Sequence, residues 1–530
     1  MQVNHHKKTP EQSVEETDVQ AVQTTDHNYD DLEQAGSKAA FNSKRALWAF
    51  LVLCYSTGPT FSMVSNYVTV AILSATNYLG HQRGSTKPCP RHGTNINCLV
   101  AFGGGEIDYN SYPLYLRAIS RATEGVVAIL TAGLADFSCA YTPSSCLVAR
   151  ANSYEDYRKT MMISSILLLG ALALPFAGLK GRSYSHLTAL SVLYCLLTTV
   201  GGVYTVIEGS YIPIFMRSTG YLRDSSASTT GNERTTWNKG VSVSVLALVS
   251  SNLGGLTALI IGVILVYGRG SFVKAASRAS RMNIRKLVIF ALLGQYLLPS
   301  VRGKEIDSAK DNTPLLLAFR NWLILLKNAP RYSEAFKFCI GWVLWNTGYA
   351  NHLQLMGALF LQVTGFNRGS GVYSVWSFTS VIFACLGCLS FMYLYSRLRV
   401  SCSVKSYAYA FLTVNILCVL WGCIGISNVS IGYKHQTEFW VEQVLFMSTG
   451  SALRAYNRAI FASMIPENSE ALFFGLEITL DLATGWINPL VTGIIQNRTH
   501  NLRFPMIPNL LLMAVGLGFY LTVDVSKGIE

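Results

Sequence analysis

Apolar residues run along this chain in long blocks separated by short polar stretches. Blocks of roughly 20 apolar residues match the length a helix needs to cross a bilayer. They fall at 46–75, 116–139, 159–180, 186–215, 241–267, 286–301, 334–362, 372–394, 405–426, 439–465, 470–496 and 504–523. The pattern predicts twelve transmembrane helices in an all-α membrane protein, with the helix of the short block at 286–301 free to begin earlier. Half of the residues are hydrophobic, 13% are charged and the mean hydropathy is +0.32. That balance excludes an ordinary soluble domain of this length. The net charge of +13 does not call for nucleic acid, because basic residues in such a chain orient its loops.

Ahead of the first block, residues 1–45 are polar and read as a disordered cytosolic tail without a cleavable signal, the first span serving as insertion signal. His5 and His6 in that tail read as solvated rather than metal-bound. Placing both termini in the cytosol puts more than half of the 42 basic residues on cytosolic segments. The basic segment 268–286 runs against that rule. Two sequons, at Asn428 and Asn497, then fall in non-cytosolic loops, where glycosylation occurs, Asn428 being the better placed. Cys89 and Cys98, in the long first loop "KPCPRHGTNINC", are expected to close a small disulfide there. The central loop, 302–333, contains the amphipathic stretch "LLLAFRNWLILLKNAP", suited to lie on the membrane surface. It divides the chain into a six-helix half at 46–301 and another at 334–530, the latter ending in a short cytosolic tail. This 6+6 layout is that of the major facilitator superfamily, whose halves rock around a midplane site.

Charges inside such spans are costly and mark partners or function. The eleventh block, "LFFGLEITLDLATGWINPL", carries Glu477 and Asp481, and the tenth carries Arg454 and Arg458. The short turn at 466–470 makes these spans an antiparallel hairpin. Counted from it, the two doublets reach similar depths, about 12 to 18 Å, at ~1.5 Å per residue. Spacing of i, i+4 puts each doublet on one helix face. Mutual neutralisation across the hairpin is the expected arrangement. Between the second and third spans, Asp136 with Arg158 and Lys159 resembles the superfamily's loop signature, a latch in which a carboxylate at a helix end meets cations.

Spans one, four, seven and ten of that layout line the central path. Tyr55 and Asn66 on the first, Glu208 on the fourth, and Asn346, Asn351 and Gln354 on the seventh are therefore candidate contacts for a polar solute. Glu124, Glu442 and His352 are further polar residues within spans. Cys385-x-x-Cys388 reads as packing inside a span. No cofactor, metal or enzymatic constellation is expected.

The last third of the chain, "GSALRAYNRAIFASMIPENSEALFFGLEITLDLATGWINPLVTGIIQNRTHNLRF", resembles the fungal autophagy-related protein twenty-two family of vacuolar amino-acid effluxers. Gly450, Arg458, Phe461, Pro466, Phe473, Phe474, Asp481, Pro489 and Thr499-His500-Asn501 carry the likeness. The resemblance implies a multi-pass vacuole-membrane protein that exports neutral amino acids, such as leucine, tyrosine and isoleucine, after autophagic breakdown. Its partners would be those amino acids, the lipid bilayer and, as coupling ion, protons. The chain departs from the family at Gly58 and Asn346, where an acid is usual, and at Leu482, where a lysine is. Glycine and an amide carry no titrating charge, so proton coupling would fall to Glu208 and Glu477 or be absent. The alternatives are a permease for another small solute and a non-transporting receptor or scaffold with the same fold.

Overall fold

The computed structural model describes residues 43–62, 68–82, 98–109, 111–135, 137–140, 154–177, 179, 183–218, 230–267, 288–299, 304–305, 314–365, 371–397, 404–465 and 470–529. It is mostly helical. The first helices are α1 (Lys44–Ser62), α2 (Thr69–Leu79), α3 (Tyr112–Leu134), α4 (Tyr157–Ala173), α5 (Tyr184–Ser218) and α6 (Thr230–Tyr267). A short apolar helix, α7 (Val288–Leu297), and the amphipathic α8 (Pro314–Lys327) follow. The remainder are α9 (Ser333–Thr364), α10 (Gly371–Arg397), α11 (Val404–Ile424), α12 (Gln436–Ser463), α13 (Glu470–Gly485), α14 (Ile487–Thr499), α15 (Met506–Thr522) and α16 (Val525–Ile529). Among the described residues, Tyr184–Met216, Gly240–Ile261, Val375–Leu394 and Lys405–Ile424 are long and apolar enough to cross a membrane. Leu316, Phe319 and Leu323 of α8 are exposed, while its Trp322 indole N–H donates to the Ile129 carbonyl of α3 at 2.8 Å. One face of α8 is thus tied to the bundle and the other left apolar, as a surface-lying helix requires.

The block at 470–496 is two helices rather than one. Pro489 has no N–H to donate to the carbonyl four residues back, and Gly485 supplies a flexible joint, so the chain turns at Trp486. Beyond it a buried amide cluster forms. Asn509 Oδ1 on α15 accepts from Asn351 Nδ2 at 3.0 Å and from Asn488 Nδ2 at 2.8 Å, and Asn351 also donates to Thr492 Oγ1 at 2.7 Å. Asn351 is accordingly spent on holding α9, α14 and α15 together. Its Oδ1 makes no hydrogen bond.

Between the helices that precede the central segment (α1–α7) and those that follow it (α9–α16), the two helix sets, α3 packs on α13 and α14, α6 on α10 and α12, and α5 on α13. A small antiparallel sheet, β1 (His81–Gln82), β2 (Cys98–Phe102) and β3 (Gly105–Asp108), caps one end of the bundle. It is fastened to α14: the Asp108 N–H donates to Asn497 Oδ1 at 3.2 Å, and Asp108 Oδ2 lies 3.4 Å from His500 Nδ1. Asn497 is half-buried by this contact, whereas Asn428 is exposed. At the opposite end, β4 (Phe137–Ala140) pairs with β5 (Tyr154–Asp156) and with β6 (Lys304–Glu305) of the central loop.

One loop is held by a single carboxylate. Glu438 in the first turn of α12 accepts from the Trp421 indole at 2.7 Å and from the backbone N–H groups of Gly432, Tyr433, Lys434 and His435. Burial alone would raise its pKa, but the hydrogen bonds from Trp421 and the loop backbone outweigh it and hold the carboxyl below its usual range. A lowered folded-state pKa gives stability that is present above the unfolded value and lost as pH falls through the folded one. Glu438→Gln is expected to lose about 2 kcal/mol at neutral pH. Thermal unfolding of both proteins against pH checks this. Their difference should shrink only below the ordinary carboxylate range, and a difference independent of pH would refute the charge-based account.

Candidate functional site

The buried charges are distributed differently from a simple hairpin pairing. Among the described residues, no nitrogen–oxygen contact within 4.0 Å joins Arg454 or Arg458 to Glu477 or Asp481. Arg454 instead donates to Asn346 Oδ1 at 2.9 Å and lies over the Tyr349 ring, 4.7 Å from its centroid. Tyr349 is in turn stacked on Phe446, and it packs so closely over Gly450 that a Cβ there would meet the ring at 2.1 Å. Asp481 accepts a long 3.5 Å contact from Thr347, and its charge lies in the field of Arg117 and Arg121 on α3. Arg121 also pairs with Glu124 at 3.1 Å, and Arg117 reaches the Ala350 carbonyl of α9 at 3.4 Å. Glu477 is buried, within the field of both Arg458 and Arg454. The carboxylates of α13 are thus balanced from α3 as well as α12. Hairpin geometry could not reveal the α3 arginines, because they come from over three hundred residues earlier in the chain.

Other predicted residues find definite places. Glu208 on α5 lies in the field of the Cys54 thiol and of Arg458, across the two helix sets. Tyr55 OH donates to Thr257 Oγ1 of α6 at 2.9 Å, which turns it toward its neighbouring helix. Arg158 stacks over Tyr211 and donates to the Ala135 carbonyl at 3.4 Å, while Lys159 donates to the Leu298 carbonyl at 3.1 Å. Asp136, their expected latch partner, lies outside the described residues, as do Asn66 and Cys89. Cys98 is disulfide-bonded. Cys385 and Cys388 are free thiols inside α10.

A cavity of about 350 Å³ opens between the helix sets, within the size range of small-solute pockets. The first set contributes Thr69 and Leu73 of α2, Pro113 and Leu114 of α3, and Leu259 of α6. From the second set come Gln354, Tyr373, Trp376, Ser377, Ser380, Glu442, Gln443 and Met447. Gln354 is the predicted path residue that the structure brings to this wall. Gln443 is locked in place, its amide donating to the Trp376 carbonyl at 2.7 Å and accepting from Thr379 at 3.0 Å. Glu442 sits six residues into α12, about 9 Å along its axis. Its Oε1 lies 3.4 Å from Nε2 of the fully buried His352. A wall of apolar and aromatic side chains with a few fixed polar groups suits a small amphipathic solute.

Comparison with known proteins agrees with this architecture. Residues 42–530 match the model of a family described as vacuole effluxer Atg22 like. The chain is 38% identical over 498 residues to autophagy-related protein 22 of Candida albicans, covering 92% of this chain and 91% of that protein. To the protein of the same name in Saccharomyces cerevisiae S288c it is 20% identical over 541 residues, covering 93% of each. Among solved structures, the proton:xylose symporter XylE of the major facilitator superfamily superposes with a TM-score of 0.57 at 8% identity, covering 91% of this chain and 97% of that one. The human organic anion transporter MFSD10 gives 0.56 at 10% identity, covering 90% and 99%. At these identities the structural likeness establishes the major-facilitator fold alone.

Proposed function

The chain belongs to the Atg22-like vacuole effluxer family, and from that premise we propose that it exports neutral amino acids, such as leucine, tyrosine and isoleucine, from vacuole to cytosol. In this reading twelve spans form two six-helix halves with both termini in the cytosol, and the halves alternate around the cavity between them. The observation that carries the reading is that cavity. Both helix sets build it, its volume suits one amino acid, and its wall mixes aromatic and aliphatic surface with fixed amides, hydroxyls and one carboxylate. Rocking of one set against the other would expose such a site to each side in turn.

Gly58 and Asn346 supply no proton carrier, which favours facilitated movement down the amino-acid gradient. The test is efflux of labelled leucine, tyrosine and arginine from liposomes holding the purified protein, with and without a proton gradient. Release of leucine and tyrosine above protein-free liposomes, with arginine retained and no effect of the gradient, is the expected result. Release of none of the three would overturn the effluxer reading in favour of a receptor, a scaffold or a permease for another solute.

A further inference from the structure

Glu442 is a carboxylate whose one possible cationic neighbour among the described residues is the His352 imidazole. Glu442 is 5% exposed and borders the cavity. Among the described residues no lysine or arginine lies within 4.0 Å of it, and none lines the cavity. The titratable groups in its field are His352 and Tyr349 on α9, Cys418 on α11, and Tyr433. Of these only the imidazole can carry a positive charge. Its Oε1 makes no hydrogen bond, and neither ring nitrogen of His352 does. Leaving a buried carboxylate this poorly satisfied costs free energy, and such sites in a solvent-facing cavity are filled by a ligand or held for one. Arg454, the nearest arginine on the same helix, is engaged by Asn346 and Tyr349 instead.

The surroundings of Glu442 narrow the ligand's chemistry. Trp376 and Tyr373 line the same cavity, and Trp376 is stacked on Phe360 at 5.0 Å, so the ring is fixed rather than loose. Trp376 also stacks on Tyr373 at 5.8 Å, and a carboxylate lining one cavity with an aromatic cluster is a combination that holds an alkylammonium group with an apolar body, by charge-assisted hydrogen bonding to the acid and apolar contact with the rings. A ligand carboxylate finds no cationic partner there, only neutral donors such as Ser377, Ser380 and the amide of Gln354. We propose that Glu442 is the ammonium-binding residue of the cavity, that the ligand it selects is a primary amine with a medium-sized apolar body, and that His352 positions the carboxylate from behind. Only the identification of that amine with an exported amino acid rests on the effluxer reading.

The test compares leucine, isopentylamine and 4-methylpentanoate as ligands of the purified full chain, by thermal unfolding in detergent. Leucine and isopentylamine should stabilise the protein and 4-methylpentanoate should not. Glu442→Gln should weaken both amines by about tenfold or more, since one charge-assisted hydrogen bond and its ion pair are lost. Stabilisation by 4-methylpentanoate but not by isopentylamine, or by none of the three, overturns the assignment with no variant needed. Equal amine affinity in wild type and Glu442→Gln overturns it as well. The two readings fail separately. Leucine efflux with unaltered half-saturation in Glu442→Gln sinks the ammonium site and leaves the effluxer standing. Isopentylamine binding that depends on Glu442, without leucine efflux, does the reverse.

Discussion

Gly58→Glu is expected to yield no folded protein. The resemblance puts an acid at this position, and restoring it is the natural experiment on proton coupling. The α1–α6 crossing forbids it. A Cβ on Gly58 would stand 1.9 Å from the Ser251 carbonyl oxygen and 2.4 Å from the Gly255 nitrogen, and one on Gly254 would stand 1.9 Å from the Tyr55 carbonyl oxygen. Both obstacles are backbone, which has no rotamer to change. Close approach through paired small residues is how helices associate where no hydrophobic effect separates them from lipid. The crossing is also bridged by hydroxyls, with Ser250 donating to the Leu51 carbonyl at 2.7 Å and Thr57 and Ser251 oxygens 3.1 Å apart. Even Gly58→Ala should cost about 1–3 kcal/mol as overpacking. The glutamate adds a longer chain and a charge with no room for a partner. Size-exclusion profiles of the fluorescently tagged proteins would show it: a reduced symmetric peak for alanine, aggregate for glutamate. A symmetric, wild-type peak for Gly58→Glu would refute the crossing. Loss of transport in this variant would accordingly say nothing about protons.

The same crossing shows what the sequence made legible. Runs of apolar residues mark helices because a bilayer or a core demands them, and the blocks along this chain fall on described helices, although that at 470–496 divides in two and four described helices are long and apolar enough to cross a membrane. The break at Trp486 was written in Gly485 and Pro489, yet the surrounding apolar run concealed it. What remained hidden was long-range. Arg117 and Arg121 counter Asp481 from α3, and Asn509 claims Asn351 from α15. No spacing rule relates residues that meet only after the bundle closes. Glu442 and His352 were visible as polar residues within spans, but only three-dimensional packing puts one against the other at a cavity wall. Burial with no lysine or arginine within 4.0 Å among the described residues then distinguishes Glu442 from acids such as Asp481, which lies in the field of two arginines.

Gly475→Leu is expected to abolish transport while leaving a folded protein. Gly475 lies on α13 where it meets α3, and a Cβ there would stand 2.3 Å from the Ala132 Cβ. Ala132 is fully buried, so the contact is a seam between the two helix sets. It lies near the end of α3 and the start of α13, on the side that the charge pattern assigns to the cytosol. In contrast to Gly58, whose crossing joins helices within one set, this seam must open if the sets rock. A leucine would hold it apart without disturbing the packing of α3 on α5 or of α9 on α15. Destabilising the closed arrangement by about 1.4 kcal/mol or more lowers its ratio to the open one at least about tenfold, and every transport cycle must pass through it. Efflux should therefore fall by about tenfold or more, with little change in the size-exclusion peak. The milder Gly475→Ala should show a smaller defect that Ala132→Gly relieves, since the double substitution moves the one methyl from α3 to α13. Additive losses in the pair, or wild-type efflux from Gly475→Leu, would show that the seam does not open during the cycle.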